Sequence, residues 1–298
     1  MNLVVTGSLG HISKPLTEAL VQQGHTVTVI SSNPDKQAAI EALGAIAAIG
    51  TLDDPDFLTI TFTGADAVYA MVPPNYNVPD LRAYYGRIGR TYVQAIEQSG
   101  VKRVVYLSSY GADLTEGTGV ILGAHDIEGM LTALPNVNVT LLRPAFFYYN
   151  LFTQVDMING MGFMGANYGG DDKLVMVAPI DIALVAADEL TTAATGQSVR
   201  YIASDDRTCA EIAHVLGAAI GKPTLTWVTF TDEQARSGME ASGVPASIAA
   251  DLVDLGASIH SGSMRRDYDL HQSTPQGKVK LEEFATEFAA VYNGSVAA

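Results

Sequence analysis

MNLVVTGSLGHISK, at residues 1–14, is the stretch whose reading decides the fold. Leu3, Val4 and Val5 form an apolar run without alternation, the pattern of a strand buried on both faces. Thr6-Gly7 ends the run, two residues lead to Gly10, and an amphipathic segment carrying Leu16, Ala19 and Leu20 begins soon after. The pattern predicts a strand, a tight glycine turn and a helix whose N-terminus faces the turn. Backbone N–H groups and the positive end of the helix can meet a pyrophosphate at such a place. The expected contacts of that ligand are Gly7, Leu9, Gly10, His11 and Ile12.

The same strand and helix signals repeat outward from this unit. Apolar runs at 2–6, 26–31, 45–49, 67–72, 102–108 and 138–142 are separated by helical patterns such as Tyr92, Val93 and Ile96. Alternation of this kind implies right-handed crossovers and an α/β fold, a Rossmann-type doubly wound parallel sheet. Residues 1–150 are expected to form this nucleotide-binding domain. Residues 151–298 read as a smaller, mainly helical C-terminal lobe over the sheet's carboxyl edge, with the part at about 174–203 returning to the core. Gly160 to Gly170, rich in glycine and methionine, reads as an irregular loop.

Composition narrows the classes of function. Seventeen Lys and Arg stand against thirty-two Asp and Glu, a formal charge of −15, which disfavours nucleic acid and anionic membrane surfaces as partners. Cys209 is the single cysteine, so neither an intrachain disulfide nor a cysteine-rich metal site is open to the chain. The histidines lack metal-ligand spacing, and no metal is expected. No signal-like segment or run of about twenty apolar residues occurs, and the chain reads as cytoplasmic.

In a sheet of this type ligands lie beyond the carboxyl ends of the strands. That rule places Thr51 near an adenine, Met71, Val72 and Pro73 along the cofactor, and Ser108 and Ser109 beside a nicotinamide. The second strand ends in Ser31-Ser32-Asn33-Pro34-Asp35-Lys36, without the carboxylate at its tip that binds a ribose 2′-hydroxyl in NAD-specific units. Ser32, Asn33 and Lys36 offer donors to a 2′-phosphate instead. NADP(H) is therefore preferred and NAD(H) stays open, with Asp35 as its alternative ribose ligand.

Several stretches together carry a family resemblance: VTGSLGHISKPL at 5–16, GTLDD at 50–54, MVPPN at 71–75, VVYLSSYGA at 104–112, HDIEGML at 125–131, LLRPAFFYYN at 141–150 and VAPIDIALVAADEL at 177–190. The chain resembles the NmrA-like family of atypical short-chain dehydrogenase/reductases, and within it the bacterial NAD(P)H:quinone oxidoreductases. Two positions depart from the family's pattern. Ser13 stands where a third glycine is usual, and Ser32 where an arginine is frequent. The resemblance implies reduction of quinones or similar electron-poor small molecules by direct hydride transfer. It also implies an alternative, a non-catalytic NAD(P)-binding redox sensor working through a protein partner; a homodimer is open under both.

The superfamily's usual Tyr-x-x-x-Lys pair is missing, because Gly123 to Glu128 reads GAHDIE. His125 is the candidate proton donor there, with a packed residue at a helix start as the plainer reading, in which Asp126 and Glu128 favour the helix's positive end. Tyr110 and the aromatic run Phe146, Phe147 and Tyr148 are the candidate substrate residues, able to stack on a flat ring. Arg143-Pro144 reads as an anchor for a turn.

Overall fold

The computed structural model describes residues 1–271 and 274–295. The chain forms two compact units: Met1–Ala112, Gly123–Arg143 and Ile182–Arg200 make the first, and Asp113–Leu122, Pro144–Asp181 and the chain from Tyr201 onward make the second. The crossings fall at several points along the chain. Of the stretch 174–203, residues 182–200 belong with the first unit and 174–181 with the second.

The first unit is built on β1 (Asn2–Val5), β2 (Thr26–Ser31), β3 (Ile46–Ile49), β4 (Ala67–Ala70), β5 (Arg103–Leu107) and β6 (Asn138–Pro144). These strands coincide with the six apolar runs of the sequence. Gln197–Ile202, the tenth strand in chain order and hence β10, completes a seven-stranded sheet ordered β10-β6-β5-β4-β1-β2-β3. The pairs from β3 through to β6 are parallel. From β1 the chain first builds outward to β3, then returns to add β4 on the other side. The order therefore reverses between β1 and β4, the place where a doubly wound sheet opens a crevice.

The helices of this unit are α1 (Ser13–Gln22), α2 (Gln37–Ala42), α3 (Pro55–Phe62), α4 (Leu81–Ser99), α5 (Leu122–Thr132) and α7 (Pro179–Thr191), the last two each starting in the second unit. Helix α1 turns Leu16, Thr17 and Leu20 inward, the spacing of one helical face. Each fully buried leucine contributes about 1.5–3 kcal/mol. Helix α4 buries Leu81, Tyr84, Ile88, Tyr92 and Ile96. It starts at Asp80, whose carboxylate accepts from Ala83 N–H at 2.8 Å, and ends at Gly100 with φ +75°. At Gly89 a Cβ would stand 2.8 Å from Ile127 Cγ1, so glycine is what lets α4 approach α5.

The second unit holds β7 (Phe146–Phe147), β8 (Met164–Ala166), β9 (Lys173–Val177), β11 (Asp205–Thr208) and β12 (Trp227–Thr229). β9 lies between β11, antiparallel, and β7, parallel, while β8 pairs in parallel with β12. Around these strands are α6 (Val155–Met161), α8 (Cys209–Ala219), α9 (Asp232–Ala241), α10 (Ala246–His260), α11 (Arg266–His271) and α12 (Leu281–Tyr292). The expectation of an irregular loop from Gly160 to Gly170 is corrected: the segment contains the end of α6 and strand β8. Glycine is required by the pairing, since a Cβ on Gly165 would come within 2.7 Å of the Phe230 ring. A glycine chosen for close approach reads locally as a breaker.

Buried polar ties organise this unit. Asn167 Nδ2 donates to Val253 O and to Asp232 Oδ1, both at 2.8 Å. Asp181 Oδ2 accepts from Ser204 Oγ at 2.7 Å and from Val279 N–H at 3.1 Å. At the end of α10, His260 Nδ1 meets Asp172 Oδ2 at 2.7 Å, and Asp172 Oδ2 also accepts from Gly169 N–H at 2.8 Å. The hydrogen bond and charge of Asp172 raise the His260 pKa above its ordinary value, and Asp232 adds to the effect. A raised folded-state pKa contributes stability that is fully present below the unfolded value of about 6.5 and is lost as pH rises through the folded value. His260→Asn is therefore expected to lower Tm at pH 5.5 and to approach the parent protein's Tm at pH 8.5. Thermal denaturation at the two pH values checks this; because His260 is exposed, the difference should be small.

Candidate active site

The glycine turn sits at the sheet's reversal point. Gly7 has φ +91° and Ser8 φ +54°, backbone conformations that let the chain leave β1 and double back into α1. Ser8 N–H donates to Ile30 O at 3.0 Å and Gly10 N–H to Gly7 O at 3.1 Å. A Cβ on Gly7 would lie 2.6 Å from Ser13 Oγ and 3.0 Å from Met71 Sδ. Ile12 precedes helix α1 and gives it no side-chain cap. Lys14 N–H already donates to Gly10 O at 3.0 Å and Pro15 has no N–H, so the Ser13 N–H is what the first turn of the helix offers to an anion. Leu9 is half-buried, Gly10 and His11 are exposed, and Ile12 is buried, so Ile12 offers backbone to a ligand while its side chain belongs to the core.

The ends of β1 and β4 are tied together. Thr6 N–H donates to Tyr69 O at 3.1 Å, Met71 N–H donates to Thr6 Oγ1 at 2.9 Å, and Tyr92 O–H donates to Met71 O at 2.7 Å. Met71 is half-buried, Val72 buried and Pro73 exposed, and Pro73 O accepts from Tyr84 O–H at 3.2 Å. Ser13, in the third glycine position, is buried, and its Oγ donates to Thr6 O at 2.8 Å. The hydroxyl therefore fastens α1 to β1. Ser13→Gly is expected to cost about 1 kcal/mol, read as a lower midpoint in urea unfolding.

At the tip of β2, Ser31 is buried and Ser32, Asn33 and Lys36 are exposed. Asn33 Oδ1 accepts from Asp35 N–H at 2.9 Å and starts the short helical turn 34–36, which occupies its oxygen as acceptor. Ser8 Oγ donates to Ser31 Oγ at 2.9 Å, joining the glycine turn to the β2 tip. Neither serine figured among the expected ligands. Thr51 is exposed, and its Oγ1 accepts from Asp53 N–H at 3.3 Å.

Beyond β5 stands a buried charged cluster. Arg143 Nη2 donates to Glu128 Oε2 at 2.7 Å and Arg143 Nε to Glu128 Oε1 at 3.0 Å. Ser108 Oγ donates to Glu128 Oε1 at 2.5 Å. All three residues are buried. The sequence reading treated Glu128 as a helix-end charge and Arg143 as a turn anchor, and missed their pairing. The available signal was a charge set among apolar neighbours, Leu141-Leu142-Arg143 and Ile127-Glu128, because such a charge needs a partner when buried. Asp126 instead forms a two-pronged pair with Arg82, at 2.7 and 2.8 Å, which holds its carboxyl below the usual range.

His125, half-buried on α5, has Nδ1 2.8 Å from Ala112 O. A carbonyl only accepts, so Nδ1 carries the proton and Nε2 is the atom left for acid–base work. Ser109 is half-buried with its Oγ donating to Tyr110 O at 3.1 Å, and Tyr110 is buried. In the second unit Phe146 and Phe147 are half-buried on β7, and Phe147 lies 5.2 Å from the Tyr149 ring. Tyr148 is corrected to a packing residue: it is buried, stacks on Phe284 at 5.0 Å and donates its O–H to Val279 O at 3.2 Å. The strand ends at Phe147 and Tyr148 opens a short helical turn, which carries that ring onto Phe284.

A glycine turn at the reversal point, an uncapped helix start and no room for a Cβ at Gly7 define a nucleotide-binding protein of the Rossmann class. The chain belongs to the NAD(P)H-binding family, whose pattern it matches over residues 7–193. It is 26 % identical over 258 residues to the NAD(P)H azoreductase of Xenophilus azovorans, covering 86 % of each chain. Its fold is similar to that of the NADPH-dependent quinone oxidoreductase of Escherichia coli in complex with NADPH, with TM-score 0.82 and 22 % identity over 96 % of this chain and 99 % of that one. The triphenylmethane reductase of Citrobacter sp. in complex with NADP(H) is also similar, with TM-score 0.76 and 22 % identity over 96 % and 99 %. Among the described residues, no helix is long and apolar enough to cross a membrane.

Proposed function

We propose that this chain is an NAD(P)H-dependent reductase of quinones and similar electron-poor small molecules, with NADP(H) the preferred cofactor. The observation that carries the reading is the Gly7–Ile12 cradle at the β1/β4 reversal point, in a chain of the NAD(P)H-binding family. The azoreductase, quinone oxidoreductase and triphenylmethane reductase named above are reductases whose names point to electron-poor substrates. Ser32, Asn33 and Lys36, exposed beside β2 without a carboxylate at the strand tip, favour a 2′-phosphate. A cytoplasmic setting follows from dependence on that cofactor pool.

The nicotinamide, when bound, supplies a hydride, and the reaction consumes one NAD(P)H and one proton for each quinone reduced to its hydroquinone. The protein's part is to hold the reacting ring in place, exclude water and manage the proton. Gly7, Leu9, Gly10, His11 and Ile12 hold the pyrophosphate, Met71, Val72 and Pro73 line the cofactor, and Thr51 lies toward the adenine. Ser108 and Ser109 stand toward the nicotinamide. His125, its Nδ1–H fixed on Ala112 O, presents Nε2 and delivers a proton from its imidazolium form. Tyr110, Phe146 and Phe147 remain the substrate candidates. GAHDIE at 123–128 has neither tyrosine nor lysine, so alcohol oxidation through a Tyr-x-x-x-Lys pair is not part of this reading.

The test follows the loss of NADPH and NADH absorbance with a panel of benzoquinones and naphthoquinones. Turnover above the enzyme-free rate, faster with NADPH, is the expected result. No turnover with either nicotinamide overturns the reductase reading. Tight binding without turnover would favour the redox-sensor alternative.

A further inference from the structure

The cluster beyond β5 carries information about the direction of a hydrogen bond. A carboxylate accepts and does not donate. Glu128 is held by two guanidinium N–H groups of Arg143, at 2.7 and 3.0 Å, and the remaining close neighbour on Oε1 is the Ser108 hydroxyl. Ser108 has one proton, and that proton is committed to Glu128. What its Oγ has left for anything beyond the strand end is lone-pair density. His125 shows the same polarity one helical turn away, with Nδ1–H committed to Ala112 O and Nε2 left as an acceptor when the ring is neutral.

We propose that Glu128, clamped by Arg143, is a positioning residue that makes Ser108 a one-way hydrogen-bond acceptor, so that Ser108 holds an N–H of the cofactor's carboxamide and does not stabilise an oxyanion. The proposal rests on the reductase reading only for placing the nicotinamide beyond β5. Its consequence is a preference for cofactors whose pyridine substituent can donate. A developing oxyanion on a substrate must be met by His125 in its charged form, or by solvent, because the Ser108 proton points away from it.

The probe is the 3-acetylpyridine analogue of NADP+, which keeps the carbonyl and replaces the amide NH2 with a methyl group. Calorimetric titration of the full chain should show NADP+ binding about tenfold tighter than the analogue, the worth of one hydrogen bond to a buried acceptor. Ser108→Ala, which keeps the Glu128–Arg143 pair, should bring the two affinities within about twofold. Glu128→Gln, whose amide can donate to Ser108 and release its proton, should do the same. A merely structural role would weaken both ligands equally and leave their ratio intact. A ratio near one in the parent chain, or the parent ratio retained in either folded variant, overturns the proposal. Should Glu128→Gln fail to fold, Ser108→Ala decides alone. The readout is binding, so a failure to turn over quinones would count against the reductase reading and not against this one.

Discussion

Gly7→Ala is expected to weaken NADPH binding by at least about a hundredfold, the largest binding effect of any single methyl group in this chain. Two costs combine. The backbone at φ +91° lies where L residues are strained, a penalty of about 1–3 kcal/mol. The new Cβ would also stand 2.6 Å from Ser13 Oγ and 3.0 Å from Met71 Sδ. Met71 is a flexible side chain, but Ser13 is held by its bond to Thr6 O, so relief requires α1 to move away from β1. That movement carries off the N–H groups on which an anion would sit. Gly24→Ala is the matched control: it has φ +83° and open space around a Cβ. It is expected to lose about 1 kcal/mol of stability through strain alone and to bind NADPH as the parent does. Fluorescence titration and thermal unfolding of the two variants separate the effects. Equal NADPH affinity in Gly7→Ala and the parent would remove the turn from the binding site.

Arg143→Met is expected to destabilise the fold by roughly 3–5 kcal/mol, the cost of leaving one member of a buried ion pair without its partner. The substitution keeps the hydrophobic stem and removes both N–H bonds to Glu128. Glu128 would then stay buried with the Ser108 hydroxyl alone. Tm should fall on the order of 10 °C. Adding Glu128→Leu to Arg143→Met should recover part of the loss, since replacing both partners removes the unpaired charge. A double variant no more stable than Arg143→Met would show that the pair is not what the arginine supports. By contrast, loss of the exposed Arg87–Asp53 pair, at 2.6 Å, should change stability little.

The first six strands were legible because each is a short continuous apolar run between polar or glycine turns; most are buried on both faces, and only β3, at the sheet edge, leaves Ile46 exposed. The segment at 160–170 was not, because the close approach that demands Gly165 comes from Phe230, sixty-five positions away. Tyr148 shows the same limit. Four aromatic residues in a row give no local sign of which ring turns toward Phe284.

By itself the sequence determined the strand, glycine turn and helix at residues 1–22 and the parallel character of the sheet. These follow from local periodicity, backbone freedom and composition, which a chain carries without its neighbours. Only the tertiary structure decided that Ser13 would bond Thr6 O, that the Nδ1 of His125 would be taken by Ala112, and that Glu128 would meet Arg143 and Ser108. A charge, a hydroxyl or an imidazole acquires its role from the partner that burial forces on it. The partners of Glu128 and His125 come from the chain beyond β5 and from β6, against which α5 lies, and that of Ser13 from the fold-back of α1 on the end of β1.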